Sequence, residues 1–204
     1  MCRSLIAFVL LFVVPIAALA EDAQKVGTTL ENLQAAFDGE SNAKARYDEF
    51  AKKADAEGYI KVASLFRAAA KAEEIHAKKH AEVIAKMGAK PTSNVVQPII
   101  ASTKENLEAA LKGESYERDV MYPLFIKAAE QSGDKEAVRA FSWAMKAEAQ
   151  HAKYYGDALS NLADWKSGSI TFVVCPVCGF TSSDSTVKKC PVCSEPRKKF
   201  FEIN

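Results

Sequence analysis

Four cysteines near the C-terminus and two histidines in the middle of the chain have the spacing that metal chemistry needs. Cys175, Cys178, Cys190 and Cys193 fall as Cys-Pro-Val-Cys-Gly and Cys-Pro-Val-Cys-Ser, two knuckles separated by eleven residues. Four thiolates so spaced supply a tetrahedral site for zinc or iron, and spacing alone does not choose between them. Two disulfides are the alternative in an oxidising compartment. The repeated Pro-Val filler and the turn-permitting Gly179 favour metal. The histidines lie in Glu73-x-x-His76 and Glu148-x-x-His151. Positions i and i+3 of a helix share a face, so each pair can converge on one ion. With seventeen Glu in the chain, two of three histidines acquire such a partner by accident only ~2% of the time.

An internal repeat says which elements carry these groups. TLENLQAAFDGES (29 to 41) and TKENLEAALKGES (103 to 115) share nine of thirteen positions at an offset of 74. Thr28 with Glu31 and Ser102 with Glu105 form capping boxes, so each copy starts a helix. Each helix runs to a glycine, Gly58 or Gly133, after which a second helix carries KAEEIHAK (71 to 78) or KAEAQHAK (146 to 153), now 75 apart. Two helical hairpins joined by the Pro/Ser/Asn/Gln-containing stretch 89 to 101 predict an antiparallel four-helix bundle. Glu40 and Glu114 are then equivalent acids on the two first helices. One Glu from each of two helices plus Glu-x-x-His from each of the others is the inward-facing di-iron or di-manganese pattern. Glu74 and Glu82 are expected on the surface, as is His80, whose counterpart is Tyr155. Phe37, Phe50, Phe66, Phe125, Phe141 and Trp143 are expected in the bundle core.

The offset slips from 74 to 75 between Ser41/Ser115 and Tyr47/Tyr122, so NAKAR (42 to 46) is answered by YERDVM (116 to 121). One added residue would rotate every later side chain by about 100° unless absorbed locally, and a single π-turn is the usual way to absorb it. Pro123 already lacks one helical N–H there, and the insertion contains Glu117, which has no counterpart in the first hairpin.

Residues 1 to 20 read as a secretory signal: Arg3, an uncharged run from Ser4, and Ala18-Leu19-Ala20 before a cut at Glu21. A retained membrane anchor is the alternative, but residues 5 to 20 contain Pro15 and fall short of the ~20 residues of a span. Export to the periplasm with no stable membrane anchor is expected, and loss of Arg3 would take the net charge from +1 to 0. Such a balance gives no basic bias for nucleic acid.

Together these motifs resemble a rubrerythrin over roughly residues 25 to 204: both GES segments, both Glu-x-x-His pairs, MYP at 121 to 123, and CPVCG with CPVC. The resemblance implies a ferritin-like bundle (21 to 165) followed by a small rubredoxin-like β module (166 to 204). It implies two irons held by Glu40, Glu73, Glu114, Glu117, Glu148 and His151, with Glu117 exchanged for His76 on reduction. Tyr47 and Tyr122 match tyrosines that hydrogen-bond the ligand carboxylates, and the four cysteines match the ligands of a single iron, where zinc is the other possibility. The implied activity is a peroxidase reducing hydrogen peroxide to water and protecting against oxidative stress, with electrons relayed through the four-cysteine centre. An exported copy would draw on an extracytoplasmic donor, a small redox protein or cytochrome. The short linker Lys166 to Ser169 is expected to keep the tail from its own bundle site, and the resemblance implies a head-to-tail homodimer. The competing reading is a ferroxidase or iron-storage bundle with a structural zinc ribbon. A third is an electron-transfer or metal-sensing protein without turnover.

Overall fold

The structure is a computed structural model and describes residues 26–204; the expected signal segment and its cleavage point lie outside them. Helices α1 (Thr29–Ala56) and α2 (Ile60–Lys86) form the first hairpin. The second is α3 (Thr103–Tyr116), a π-turn (Glu117–Met121), α4 (Tyr122–Gln131) and α5 (Lys135–Ser160). Both capping boxes are made, satisfying N–H groups that an α-helix leaves orphaned. Gly58 and Gly133 sit at φ +78° and +74° in the hairpin turns, a region closed to most L-residues. None of the described helices is long and apolar enough to cross a membrane.

The extra residue of the second copy is absorbed in the π-turn, where Tyr122 N–H reaches back five residues to Glu117 C=O. Beyond it the two hairpins are again in phase, and Tyr122 and Phe125 point inward like Tyr47 and Phe50. The crossover between hairpins lies along α1. Gln34, Asp38 and Asn42, one helical turn apart, accept from the backbone N–H of Thr92, Asn94 and Val96, so one helix face holds an extended strap at every second residue.

Two apolar clusters fill the bundle. One contains Phe50, Phe66 and Tyr155, and the other contains Leu33, Ile84, Phe125 and Phe141. Phe37 packs on the second cluster only partly buried, and Trp143 leaves the bundle interior to pack against the tail. Glu74 and Glu82 are exposed as expected. His80 is not: it is completely buried, because position 80 is four residues past His76 and faces inward with it.

The tail is a three-stranded antiparallel sheet in the order β2-β1-β3, with β1 Phe172–Val174, β2 Thr181–Ser182 and β3 Phe201–Ile203. It does not extend away from its own bundle. Ile60 N–H bonds to Lys166 C=O at the start of the tether. Phe172 and Val174 join the first bundle cluster, Phe172 edge-on to Tyr154 at 5.2 Å. The expectation that a short tether keeps the tail from its own site is therefore not met: α2 and α5 run beside the tether and bring their middles up to the sheet.

Candidate metal centres

Four helices of the bundle, α1, α2, α3 and α5, each contribute an acid to one buried spot. Glu40 comes from α1, Glu73 with His76 from α2, Glu114 from the end of α3, and Glu148 with His151 from α5. All six are at most 2% exposed. Their ligand atoms form two overlapping groups, Glu40/Glu73/His76/Glu148 and Glu73/Glu114/Glu148/His151. Glu73 and Glu148 belong to both groups, the position of bridging carboxylates between two ions. His76 Nδ1 lies 2.7 Å from Glu73 and 3.0 Å from Glu148, and His151 Nδ1 lies 2.9 Å from Glu148.

The donor set fits a pair of cations. Four carboxylates face at most two imidazolium charges, and burying unpaired carboxylate is strongly unfavourable. One oxygen each of Glu40, Glu73 and Glu114, both oxygens of Glu148, and His151 Nδ1 are buried without a hydrogen bond. Such a convergence of orphaned acceptors is what hard or borderline divalent ions require. The strain shows in the proton affinities. Burial and then Glu73 raise Glu40 well above the carboxylate range, and burial with Glu73 and Glu148 brings Glu114 to about 8. Burial opposes charge on His76, but Glu148 and Glu73 outweigh it and raise the imidazole to about 10.

Tyr122 donates to Glu40, and Tyr47 donates to Glu114 at 2.5 Å, related pairs of the internal repeat. The two histidines are oriented by the tail. His76 Nε2 is 3.2 Å from the Cys178 carbonyl, which only accepts, so Nε2 carries the proton. Thr181 Oγ1 donates to Gly179 C=O and therefore accepts from His151 Nε2 at 3.0 Å. Both imidazoles thus present an unprotonated Nδ1 to the carboxylates when neutral, the form a metal binds. A Cβ at Gly179 would collide with the His76 ring, and this glycine has φ +73°.

The expected residues divide. His76 stands within the first group, whereas Glu117, in the π-turn, belongs to neither and is half-buried. Burial and the nearby Glu114 and Glu148 nevertheless push its carboxyl well up. His80, expected on the surface, instead lies behind the site with Nε2 3.1 Å from Tyr122 Oη, and burial lowers its pKa to about 3. Its i+4 relation to His76 was the available signal. No sequence signal pointed to Thr181, whose role exists only once the tail docks.

The four cysteines gather in the tail without disulfide bonds, with Cys175–Cys193 and Cys178–Cys190 sulfur pairs 3.5 and 3.4 Å apart. Those separations are far beyond a disulfide's ~2.05 Å. They approach the ~3.8 Å edge of a tetrahedron with ~2.3 Å metal–sulfur bonds.

The chain matches the Rubrerythrin family model over residues 31–159. It is 39% identical to nigerythrin of Nitratidesulfovibrio vulgaris over 185 residues, 89% of this chain and 90% of that protein. It is 37% identical to rubrerythrin-2 of Clostridium acetobutylicum over 179 residues, 86% of this chain and 97% of that one. The solved structure of fully reduced, all-ferrous nigerythrin superposes with a TM-score of 0.83 at 38% identity, covering 90% of this chain and 91% of that one. A bacterioferritin of Desulfovibrio desulfuricans, 24% identical with a TM-score of 0.62, shares the bundle fold. A di-iron carboxylate/histidine site in the bundle and a four-cysteine cluster in the tail, on this fold and at these identities, place the chain in the rubrerythrin family.

Proposed function

We propose that the protein is a peroxidase outside the cytoplasm that protects against oxidative stress by reducing hydrogen peroxide to water. One observation carries the reading: the backbone carbonyl of Cys178, a residue of the four-cysteine centre, hydrogen-bonds the His76 ring whose other nitrogen enters the carboxylate cluster. A storage bundle with a structural ribbon has no need of that coupling. With iron bound, the bundle pair supplies the two electrons that, with two protons, convert one hydrogen peroxide to two waters, and the tail iron restores them singly.

The chain's own groups prepare the site. Tyr122 and Tyr47 hold their hydroxyl protons on Glu40 and Glu114, fixing the outer carboxylates while Glu73 and Glu148 remain central. Apolar clusters on both sides exclude bulk water, which strengthens each of these interactions. With iron bound, Glu117 would replace His76 as a ligand in the oxidised state; its carboxyl, pushed up by burial and by the nearby Glu114 and Glu148, and His76's presence in the cluster support this exchange.

The test is anaerobic: reduced, bleached protein receives one equivalent of hydrogen peroxide while peroxide, oxygen and visible colour are followed. Peroxide should disappear without oxygen release and the red of the tail should return. Glu148→Ala and His151→Ala should stop turnover by emptying a metal position, and Cys175→Ser should spare bundle iron but block re-reduction. Unchanged rates in the first two variants, or a colourless tail holding zinc, would overturn the reading in favour of iron storage.

A further inference from the structure

The four-cysteine centre has two unlike sides. Cys175 and Cys178 are buried, and their knuckle faces the bundle through the Cys178 carbonyl. The second knuckle faces outward: Cys193 is part-exposed, and Pro191 and Ser194 beside it are exposed. Backbone bonds fold the chain tightly on either side of it. Cys190 N–H donates to Glu195 C=O at 2.8 Å, Lys189 bridges Pro196, and Arg197 N–H donates to Lys188 C=O at 3.1 Å. Lys188 and Lys189 therefore enter the knuckle beside Arg197, Lys198 and Lys199 leaving it.

Charge is distributed just as unevenly. The whole chain is balanced, 27 basic against 26 acidic residues, yet from Lys166 onward six basic side chains face three acidic ones. Arg197 and Lys199 are tied to Glu202 and Glu195. Lys188, Lys189 and Lys198 are exposed and in no ion pair among the described residues. A small apolar centre, Pro191 and Val192, is thus flanked by segments carrying three uncompensated lysines at the open edge of the four-cysteine site. Small contacts with a charged rim suit transient redox encounters, where rim charge sets association rate.

We propose that the Cys190–Cys193 knuckle is the docking face for an acidic one-electron redox protein, which passes one electron to the ferric iron of the tail and leaves it ferrous. This rests on the reading of the tail as a redox centre. Reduced flavodoxin, an acidic flavoprotein, is the probe, and photoreduced lumiflavin, small and indifferent to the patch, is its control. Bleaching of the iron-loaded protein is followed by stopped flow, and binding of oxidised flavodoxin to the oxidised protein by calorimetry. Lys188→Glu/Lys189→Glu/Lys198→Glu should lose ~10-fold or more in both rate and affinity at about 20 mM salt, and the rate difference should fall below about twofold at about 0.5 M. Lumiflavin should bleach wild type and variant equally. Unaltered flavodoxin rate and binding, or an equal loss in the matched variant Lys112→Glu/Lys127→Glu/Lys135→Glu on the second hairpin, would overturn the docking face. A tail that lumiflavin cannot bleach would instead remove the redox reading, and the calorimetry would then decide the docking face alone.

Discussion

The hydroxyl of Thr181 has a larger task than its size suggests. Having given its proton to Gly179 C=O, it is the acceptor for His151 Nε2–H and so selects the tautomer that aims Nδ1 at Glu148, Glu73 and Glu114. Thr181→Val keeps the shape and removes the acceptor. The buried N–H left unpaired should cost about 1–3 kcal/mol in denaturant titrations. Iron affinity should fall about 10–100-fold in competition with a chelator, the usual penalty for losing a group that orients a ligand. Unchanged affinity would mean that the carboxylates alone orient the ring. Six of the seven bundle acids and histidines of the expected ligand set were legible from the sequence pattern, because duplication marked the acids and i, i+3 spacing marked the pairs; Glu117, implied by the family resemblance alone, stands outside both groups. The groups holding them were not: Thr181 is thirty residues from His151, and nothing local to TFVV or TSSD announces the contact.

Among the elements, turns and caps decide where the groups end up. Gly179 and Ser194 close equivalent knuckles, both at positive φ, +73° and +66°. Their surroundings differ, since a side chain at Gly179 meets His76 while Ser194 is exposed. Gly179→Ala should therefore displace the tail from His76 and slow recovery of bundle reduction, with tail iron retained; Ser194→Gly should stabilise the tail by about 1 kcal/mol by relieving a left-handed residue. Equal thermal shifts in the two variants would contradict this account. A second element-scale test concerns α3, whose first N–H, at Thr103, is bonded by Glu57 at 2.8 Å from the end of α1. Hydrogen bonding to Thr103, with Lys53 at 2.9 Å, lowers the Glu57 carboxyl to about 2. A depressed folded-state pKa stabilises above the ordinary carboxyl range and loses that contribution as pH falls toward 2. Glu57→Gln should accordingly cost about 1 kcal/mol at pH 7, typical of a helix N-terminal acceptor, and little near pH 2. A penalty that stays constant with pH would remove the carboxylate from the explanation. The capping boxes and the π-turn were readable, the latter from one extra residue in a duplication otherwise kept in phase. The strap was readable only as a break, because its order comes from Gln34, Asp38 and Asn42 on a helix more than fifty residues away.

At the scale of the molecule, the question is which tail serves which bundle. Chain length alone made an intrachain contact look out of reach, but that estimate ignored direction: α5 ends beside the α1–α2 turn, and β1 returns along α2. Phe172 and Val174 then bury completely in the bundle's own apolar cluster. Burial of a side chain such as Phe172 contributes about 1.5–3 kcal/mol, enough to hold a tethered module whose closure costs little entropy. Electron return should therefore run within one chain. Mixing decides it: chains carrying Cys175→Ser have an intact bundle and no working tail, and chains carrying Glu148→Ala have the reverse. Unfolded together, refolded with iron and assayed for peroxide turnover, the mixture should show no more activity than the two variants apart. Head-to-tail pairing predicts the opposite, because a mixed dimer would join one good tail to one good bundle and recover a substantial fraction of wild-type turnover. Recovery that grows with protein concentration would assign the tail to its neighbour. Failure to recover, with both variants shown to hold their remaining iron, would leave each chain as its own complete circuit, from the outward knuckle through Cys178 and His76 to the buried carboxylates.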